Sequence, residues 1–191
     1  MASLPKKQSA MNASRAAGVT IVELMITIAV LAILLTVAVP NFRSVINNNR
    51  VSGAANSLVT AMAYARSEAV ARSAIVRLCP ANAAFTDCSG DDDWGGGLVI
   101  RLQEGPGEGE ILRVWEPLSS AIALGQDLDD TASDNHVDFL PLGNVAVGGT
   151  DFTFVLELQP VDCPAGRPFR REVILGRSGR AQVVQPTGGC E

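Results

Sequence analysis

The sequence predicts an α+β fold, a long N-terminal helix packed against a C-terminal antiparallel β-sheet head, and three observations carry that prediction. An apolar run occupies Val19 to Val39; apolar residues then recur at helical spacing from Val51 to Ala69; and from Ala74 onward short segments rich in Val, Ile, Leu and Phe alternate with Gly, Pro and Asp clusters. A sheet laid on the C-terminal half of the helix would bury the apolar face of each. A chain of 191 residues has room for one head and one long element, but not for two enzymatic domains.

The first segment, residues 1–18, is basic: Lys6, Lys7 and Arg15 precede Gly18 with no acid among them. From Val19 to Val39 only Thr20, Glu23, Thr27 and Thr36 are polar. At about 1.5 Å per residue this run spans roughly 30 Å, the thickness of a bilayer core, so residues 19–40 are expected to form a transmembrane helix. The positive-inside rule leaves the N-terminus in the cytoplasm and sends the remainder outward. A cleaved signal peptide would end its apolar region in small residues of the A-x-A kind; here Val39-Pro40-Asn41-Phe42 follows, so the run is expected to stay attached.

Glu23 is the anomaly in that run. A carboxylate costs up to ~2.5 to 3.5 kcal/mol at mid-bilayer and less toward the interface, so it needs a partner. If the chain is cut after Gly18, the new amine of Val19 lies near Glu23, and the corresponding amine of a neighbouring copy could do the same in an assembly. Only the second pairing would also align helices.

The stretch Gly18-Val19-Thr20-Ile21-Val22-Glu23-Leu24, with the apolar run closing in Pro40, resembles the N-terminal processing and methylation signature of type IV pilins and type II secretion pseudopilins. The resemblance implies cleavage between Gly18 and Val19 by a prepilin peptidase, N-methylation of Val19, and Glu23 as the assembly glutamate. It further implies inner-membrane lipid as the first environment and other pilins or pseudopilins of a filament as partners. The first mature residue of that family is most often Phe, whereas Val19 stands here.

Beyond Pro40, Val51, Ala55, Leu58, Met62, Ala65 and Ala69 recur on one helical face, while Arg50, Asn56, Thr60 and Ser67 fall elsewhere. Residues 41–73 therefore read as an amphipathic helix, continuous with the apolar one from about residue 20 to about residue 72 and loosened at Pro40 and Gly53. Residues 74–191 form the head. Expected strands are Ala74–Leu78, Gly97–Leu102, Ile111–Trp115, His136–Phe139, Phe152–Leu158, Arg171–Leu175 and Arg180–Val184, the clearest alternation being Phe152, Phe154, Leu156 and Leu158.

Four cysteines, Cys79, Cys88, Cys163 and Cys190, all follow the apolar run, at spacings that match neither zinc pairs nor a redox CxxC. An even count on one side of a membrane segment suggests disulfides formed in an oxidising compartment. Three connectivities are open, of which Cys79–Cys88 with Cys163–Cys190 is favoured because each closes a local loop.

The head is similar to the GspH/FimT minor pseudopilins. The residues that carry this are "NNRVSGAANSLVTAMAYARSEAVARSAIVRLCP", where an asparagine-rich turn leads into a helix and then a strand ending in Cys79; the acidic loop and Trp94-Gly95-Gly96-Gly97 after Cys88; and "LGRSGRAQVV" before Cys190. Residues 101–160 are not diagnostic. The resemblance implies a periplasmic or surface filament subunit of a type II secretion pseudopilus or a type IV pilus.

Catalytic chemistry finds no support. His136 is the only histidine, and GxSxG, HExxH and P-loop motifs are absent, so neither an enzyme nor a cofactor is expected. Asp91, Asp92 and Asp93 lack EF-hand spacing and read as a solvated loop. Gln103 to Glu110, "QEGPGEGE", has the composition of a flexible connection.

Net charge is −5, and with the three basic residues before Gly18 set aside the remainder carries −8, so polyanion binding would need a local basic patch. "RPFRREVILGRSGR" supplies one in sequence: Arg167, Arg170, Arg171, Arg177 and Arg180 against Glu172. Some DNA-capturing pilins resembling this branch use a C-terminal Gly-Arg-x-Arg motif. Here Gly179-Arg180-Ala181 is followed by Gln182, so DNA as a partner through Arg177, Gly179 and Arg180 is the alternative, and a tight Ser178-Gly179 hairpin with surface arginines, or an interface to another minor subunit, the preferred reading.

Overall fold

The structure, a computed structural model, describes residues 18–103, 109–128, 135–146, 153–163 and 165–190. It contains one long helix and nine strands among these residues: α1 (Ile21–Arg72), β1 (Val76–Pro80), β2 (Leu98–Leu102), β3 (Ile111–Trp115), β4 (Ile122–Leu128), β5 (Val137–Phe139), β6 (Val145–Ala146), β7 (Thr153–Pro160), β8 (Arg171–Gly176) and β9 (Ala181–Val184). The chain divides into two compact units, Met1–Arg43 and Ser44–Glu191.

In the first unit the helix begins with a local signal. Thr20 caps it, its Oγ1 accepting the Glu23 N–H at 3.2 Å while its carbonyl accepts the Leu24 N–H at 3.1 Å. Ile21, Leu24, Ile28, Leu31 and Leu35 are all exposed. Thr27 and Thr36 donate their hydroxyls to the carbonyls of Leu24 and Ile33, which satisfies each polar side chain within the helix. Among the described residues no helix is long and apolar enough to cross a membrane. The unbroken run of described side chains in α1 covers residues 21–36, roughly 24 Å of helix, and the expected span continues through Val37 and Pro40, whose side chains lie outside that description.

In the second unit the helical stripe is the core. Val51, Ala55, Leu58, Met62, Ala65 and Ala69 are all buried, and Arg50, Asn56, Thr60 and Ser67 are exposed, as the spacing requires. Neither Gly53 nor Asn47–Asn49 interrupts α1, so the asparagine-rich turn expected there is helix instead. The helix ends at Arg72 because Ser73 takes a left-handed conformation (φ 52°): the Ser73 and Ala74 amides then bond back to the carbonyls of Val70 and Ala69.

Two antiparallel sheets face this stripe, one in the order β3-β2-β1-β5-β6 and the other β4-β7-β8-β9. Leu78, Ile100 and Phe139 from the first sheet and Phe154, Leu156, Leu158, Val173 and Leu175 from the second join the helix residues in one cluster. Trp94, fully buried, lies against Phe154 at 4.9 Å between ring centroids and ties the loop before β2 into the same core. Fully burying a side chain of this size contributes about 1.5 to 3 kcal/mol.

The expected strands differ in detail. Ala74–Leu78 shifts to Val76–Pro80, His136 lies in a bend before β5, and β4 and β6 were not anticipated. Phe152 and residues 104–108 of the expected connection lie outside the described residues. Ile122–Leu128 hides its strand character because Ala123, Gly125 and Asp127 are weak strand formers; seven pairings with β7, from Ile122↔Pro160 to Leu128↔Phe154, override that preference.

Candidate functional site

Two groups of residues carry the functional expectations, one in each unit. At the start of α1, Gly18 and Val19 are exposed and precede the helix, and Glu23 occupies its first turn. Among the described residues nothing demands glycine at 18, since a side chain built there meets none of them within 4 Å and its φ is unexceptional. Thr20-Ile21-Val22-Glu23 is the S/T-x-x-E pattern of a helix start, and a carboxylate there faces the positive end of the helix dipole. The sequence pattern alone signals this local role of Glu23, which is separate from the assembly role expected of it.

The second group sits on the hairpin joining β8 to β9. The Gly179 N–H donates to the Gly176 carbonyl at 2.9 Å and the Gly176 N–H to the Arg180 carbonyl at 3.1 Å, closing a tight turn. Gly179 is buried at φ +71°; a Cβ there would run into the Gly143 carbonyl oxygen and lie 3.1 Å from Arg66 Nε. The turn docks on the β5–β6 connection: the Val145 N–H donates to the Arg177 carbonyl at 3.0 Å, and Arg66 Nε of α1 donates to the Gly143 carbonyl at 2.8 Å. Arg177 and Arg180 flank this anchored turn and are exposed.

The five arginines do not form one patch. Arg170 pairs with Glu157 and Glu172, and Arg171 donates to Asn48 Oδ1 at 2.6 Å and to the carbonyls of Pro168 and Arg170. Strand β8 separates these two from Arg177 and Arg180 by roughly 17 Å at strand rise. The Arg170–Glu157 ion pair fixes the start of β8 to β7 and the Arg171–Asn48 hydrogen bond fixes it to α1; the basic surface of the hairpin is the Arg177–Arg180 turn.

Both disulfides join the favoured partners. Cys79 bonds to Cys88 with Cα atoms 5.6 Å apart, and Cys163 bonds to Cys190 at 5.7 Å. Around the second bridge the Gly166 N–H donates to the Cys190 carbonyl and the Cys190 N–H to the Arg167 carbonyl, which pins the C-terminal segment to the loop before β8.

Several of the remaining titratable residues have structural partners. Arg77 grips Asp138 with two bonds of 2.7 Å across the β1–β5 pairing, and His136 Nε2 lies 3.7 Å from the same carboxylate. Asp91 and Asp92 are exposed, whereas Asp93 Oδ1 accepts the amides of Gly95 and Gly96, both at 3.1 Å. Arg72 bonds to Glu68 at 2.7 Å, and that bond raises its pKa above the ordinary arginine value. Among the described residues no group of His, Cys, Asp and Glu could hold a metal ion.

Comparison with known proteins is consistent with this geometry. The family model described as "Type II transport protein GspH" matches residues 54–179, and that of the prokaryotic N-terminal methylation motif matches residues 13–39. Among solved structures, the type IV minor pilin FimU of Pseudomonas aeruginosa is similar at a TM-score of 0.54 and 21% identity, over 73% of this chain and 95% of that one. The minor pseudopilin EpsH from the Type 2 Secretion System of Vibrio cholerae is similar at a TM-score of 0.50 and 14% identity, over 72% and 98%. At these identities the likeness is one of fold. No curated protein sequence matches.

Proposed function

The chain belongs to the GspH family of type II transport proteins, and from that premise we propose that it is a minor structural subunit of a type II secretion pseudopilus or a type IV pilus. In this reading a prepilin peptidase cuts between Gly18 and Val19, Val19 is N-methylated, and residues 19–40 hold the subunit in the inner membrane with its head in the periplasm. The helix then enters the filament beside those of other pilins or pseudopilins, with Glu23 facing the amino terminus of a neighbour. The head supports assembly and secretion and performs no catalysis.

One observation carries the reading: an exposed glycine that nothing among the described residues demands stands directly before a capped helix with Glu23 in its first turn and apolar side chains open on its surface. An acid in an apolar surface is tolerated when a counter-charge reaches it on assembly, and the freed amine supplies one. Mass spectrometry of the protein recovered from cells tests this: the expected species begins at methylated Val19. An intact leader with no trimmed form would overturn it.

A second reading, DNA capture for uptake, is supported by the Arg177–Arg180 turn, whose two exposed cations sit on an anchored backbone and suit phosphate. Gel shift of duplex DNA by the purified protein at low salt, lost on Arg177→Ala with Arg180→Ala, is the result it requires.

A further inference from the structure

We propose that the open edge of β3 accepts an extended acidic segment of a partner protein as an added strand. The inference concerns the head and stands apart from N-terminal processing. Among the described residues strand β3 is the terminal strand of its sheet, bonded to β2 on one side only. An edge of this kind is a template for another strand, whose main chain supplies affinity while side chains pointing alternately to the two faces supply selectivity.

Both faces of this edge hold a receptacle. The pairing Ile100↔Arg113 and Leu98↔Trp115 puts Arg113 and Trp115 on the helix side, because Ile100 and Leu98 belong to the core. There a cleft of about 560 Å³ opens, lined by Arg50 and Ser57 of α1, Arg113, Trp115 and Glu116, and it shares Val114, Glu116 and Pro117 with the cavity on the other face. The pairing Val99↔Val114 puts Val114 on the opposite side, where a second cavity of about 520 Å³ is bounded by Phe85, Val114, Glu116 and Pro117. An added strand would place alternate residues in the cleft that holds Arg50 and Arg113 and in the one bounded by Phe85 and Val114.

Charge selects the occupant. Arg113 stacks over Trp115 at 4.4 Å and over Tyr64 at 5.2 Å, which fixes its guanidinium beside the cleft. Neither Arg113 nor Arg50 has an ion-pair partner among the described residues, whereas Arg72, Arg77, Arg101 and Arg170 each pair with a carboxylate. Glu116 at the cleft rim balances one of the two. A second copy of this chain is disfavoured, since antiparallel pairing of β3 with itself about Arg113 would set arginine against arginine. An incoming strand with carboxylates on its cleft-facing side and aliphatic groups on the other meets both requirements.

The test uses the full chain in detergent micelles and two probes: an end-blocked heptapeptide alternating glutamate and valine, and its lysine–valine counterpart. Dye-labelled peptide reports affinity, and hydrogen exchange read by mass spectrometry reports the contact. The glutamate peptide is expected to bind and to slow exchange within 111–115. Arg50→Glu with Arg113→Glu, both exposed positions, should weaken it about tenfold, from two partly exposed ion pairs lost and reversed. The same variant should gain affinity for the lysine peptide, which also shows that it folds. Absence of binding at millimolar peptide, or binding that leaves exchange in 111–115 unchanged, overturns the proposal. Protection of 111–115 that grows with protein concentration alone overturns it too, in favour of a second copy.

Discussion

Gly179→Ala isolates the anchoring of the β8–β9 hairpin from its charge. An alanine at φ +71° costs about 1 kcal/mol relative to glycine from Cβ sterics alone. The added methyl also runs into the Gly143 carbonyl oxygen, which is backbone already bonded to Arg66 and so gives little. The turn must lift, and the Val145 N–H then loses the Arg177 carbonyl, a loss of about 1 to 3 kcal/mol for a buried donor left unmatched. The two terms come to roughly 3 kcal/mol, or a fall in Tm of about 6 to 12 °C for a head of this size. Gly176→Ala is the matched control, since Gly176 has no positive φ and a Cβ there meets nothing within 4 Å. Thermal unfolding of the full chain, followed by near-UV circular dichroism, should separate the two variants clearly. If Gly179→Ala melts with Gly176→Ala, the docking of the turn contributes no stability and the argument fails.

Other expectations follow from the same geometry. Ser73→Gly removes the strain of a left-handed serine at the end of α1 and should stabilise the head by about 0.5 to 1 kcal/mol in denaturant titration; a loss of stability would contradict the cap assigned there. Reduction should destabilise through both bridges, with the loop entropy of Cys163–Cys190, separation 27, worth about 3.5 kcal/mol against about 2.6 for Cys79–Cys88, separation 9; equal melting with and without reductant would count against both. Replacing Glu23 by alanine should leave membrane insertion intact or improved while impairing filament incorporation, measured by co-fractionation with sheared filaments, and normal incorporation would remove its proposed role in assembly.

Much of this chain was legible because its strongest signals are local or periodic. The stripe from Val51 to Ala69 is read correctly from spacing alone, since a helix repeats its face every three to four residues whatever it packs against. The alternation at Phe154, Leu156 and Leu158 is read for the same reason in a strand, and the local cysteine pairing holds because each loop is short. Strand β4 was invisible because its residues prefer other conformations and only the partner strand β7 compels them. The arginine-rich segment misled in the opposite sense: five cations close in sequence look like one patch, yet Glu172 within the segment and Glu157 and Asn48 outside it take two of them.

The sequence by itself determined the helix, its apolar and amphipathic halves, the motif around Gly18 and Glu23, and the alternation that makes the head a sheet. Those are properties of neighbours along the chain, fixed by backbone geometry and by the transfer of apolar groups from water. Tertiary structure alone decided which strands lie at sheet edges, that Gly179 is wedged against Gly143, and that Arg113 and Trp115 flank an open edge beside Arg50. These depend on the register of pairing between segments far apart in sequence, which composition and spacing leave undetermined until the strands meet.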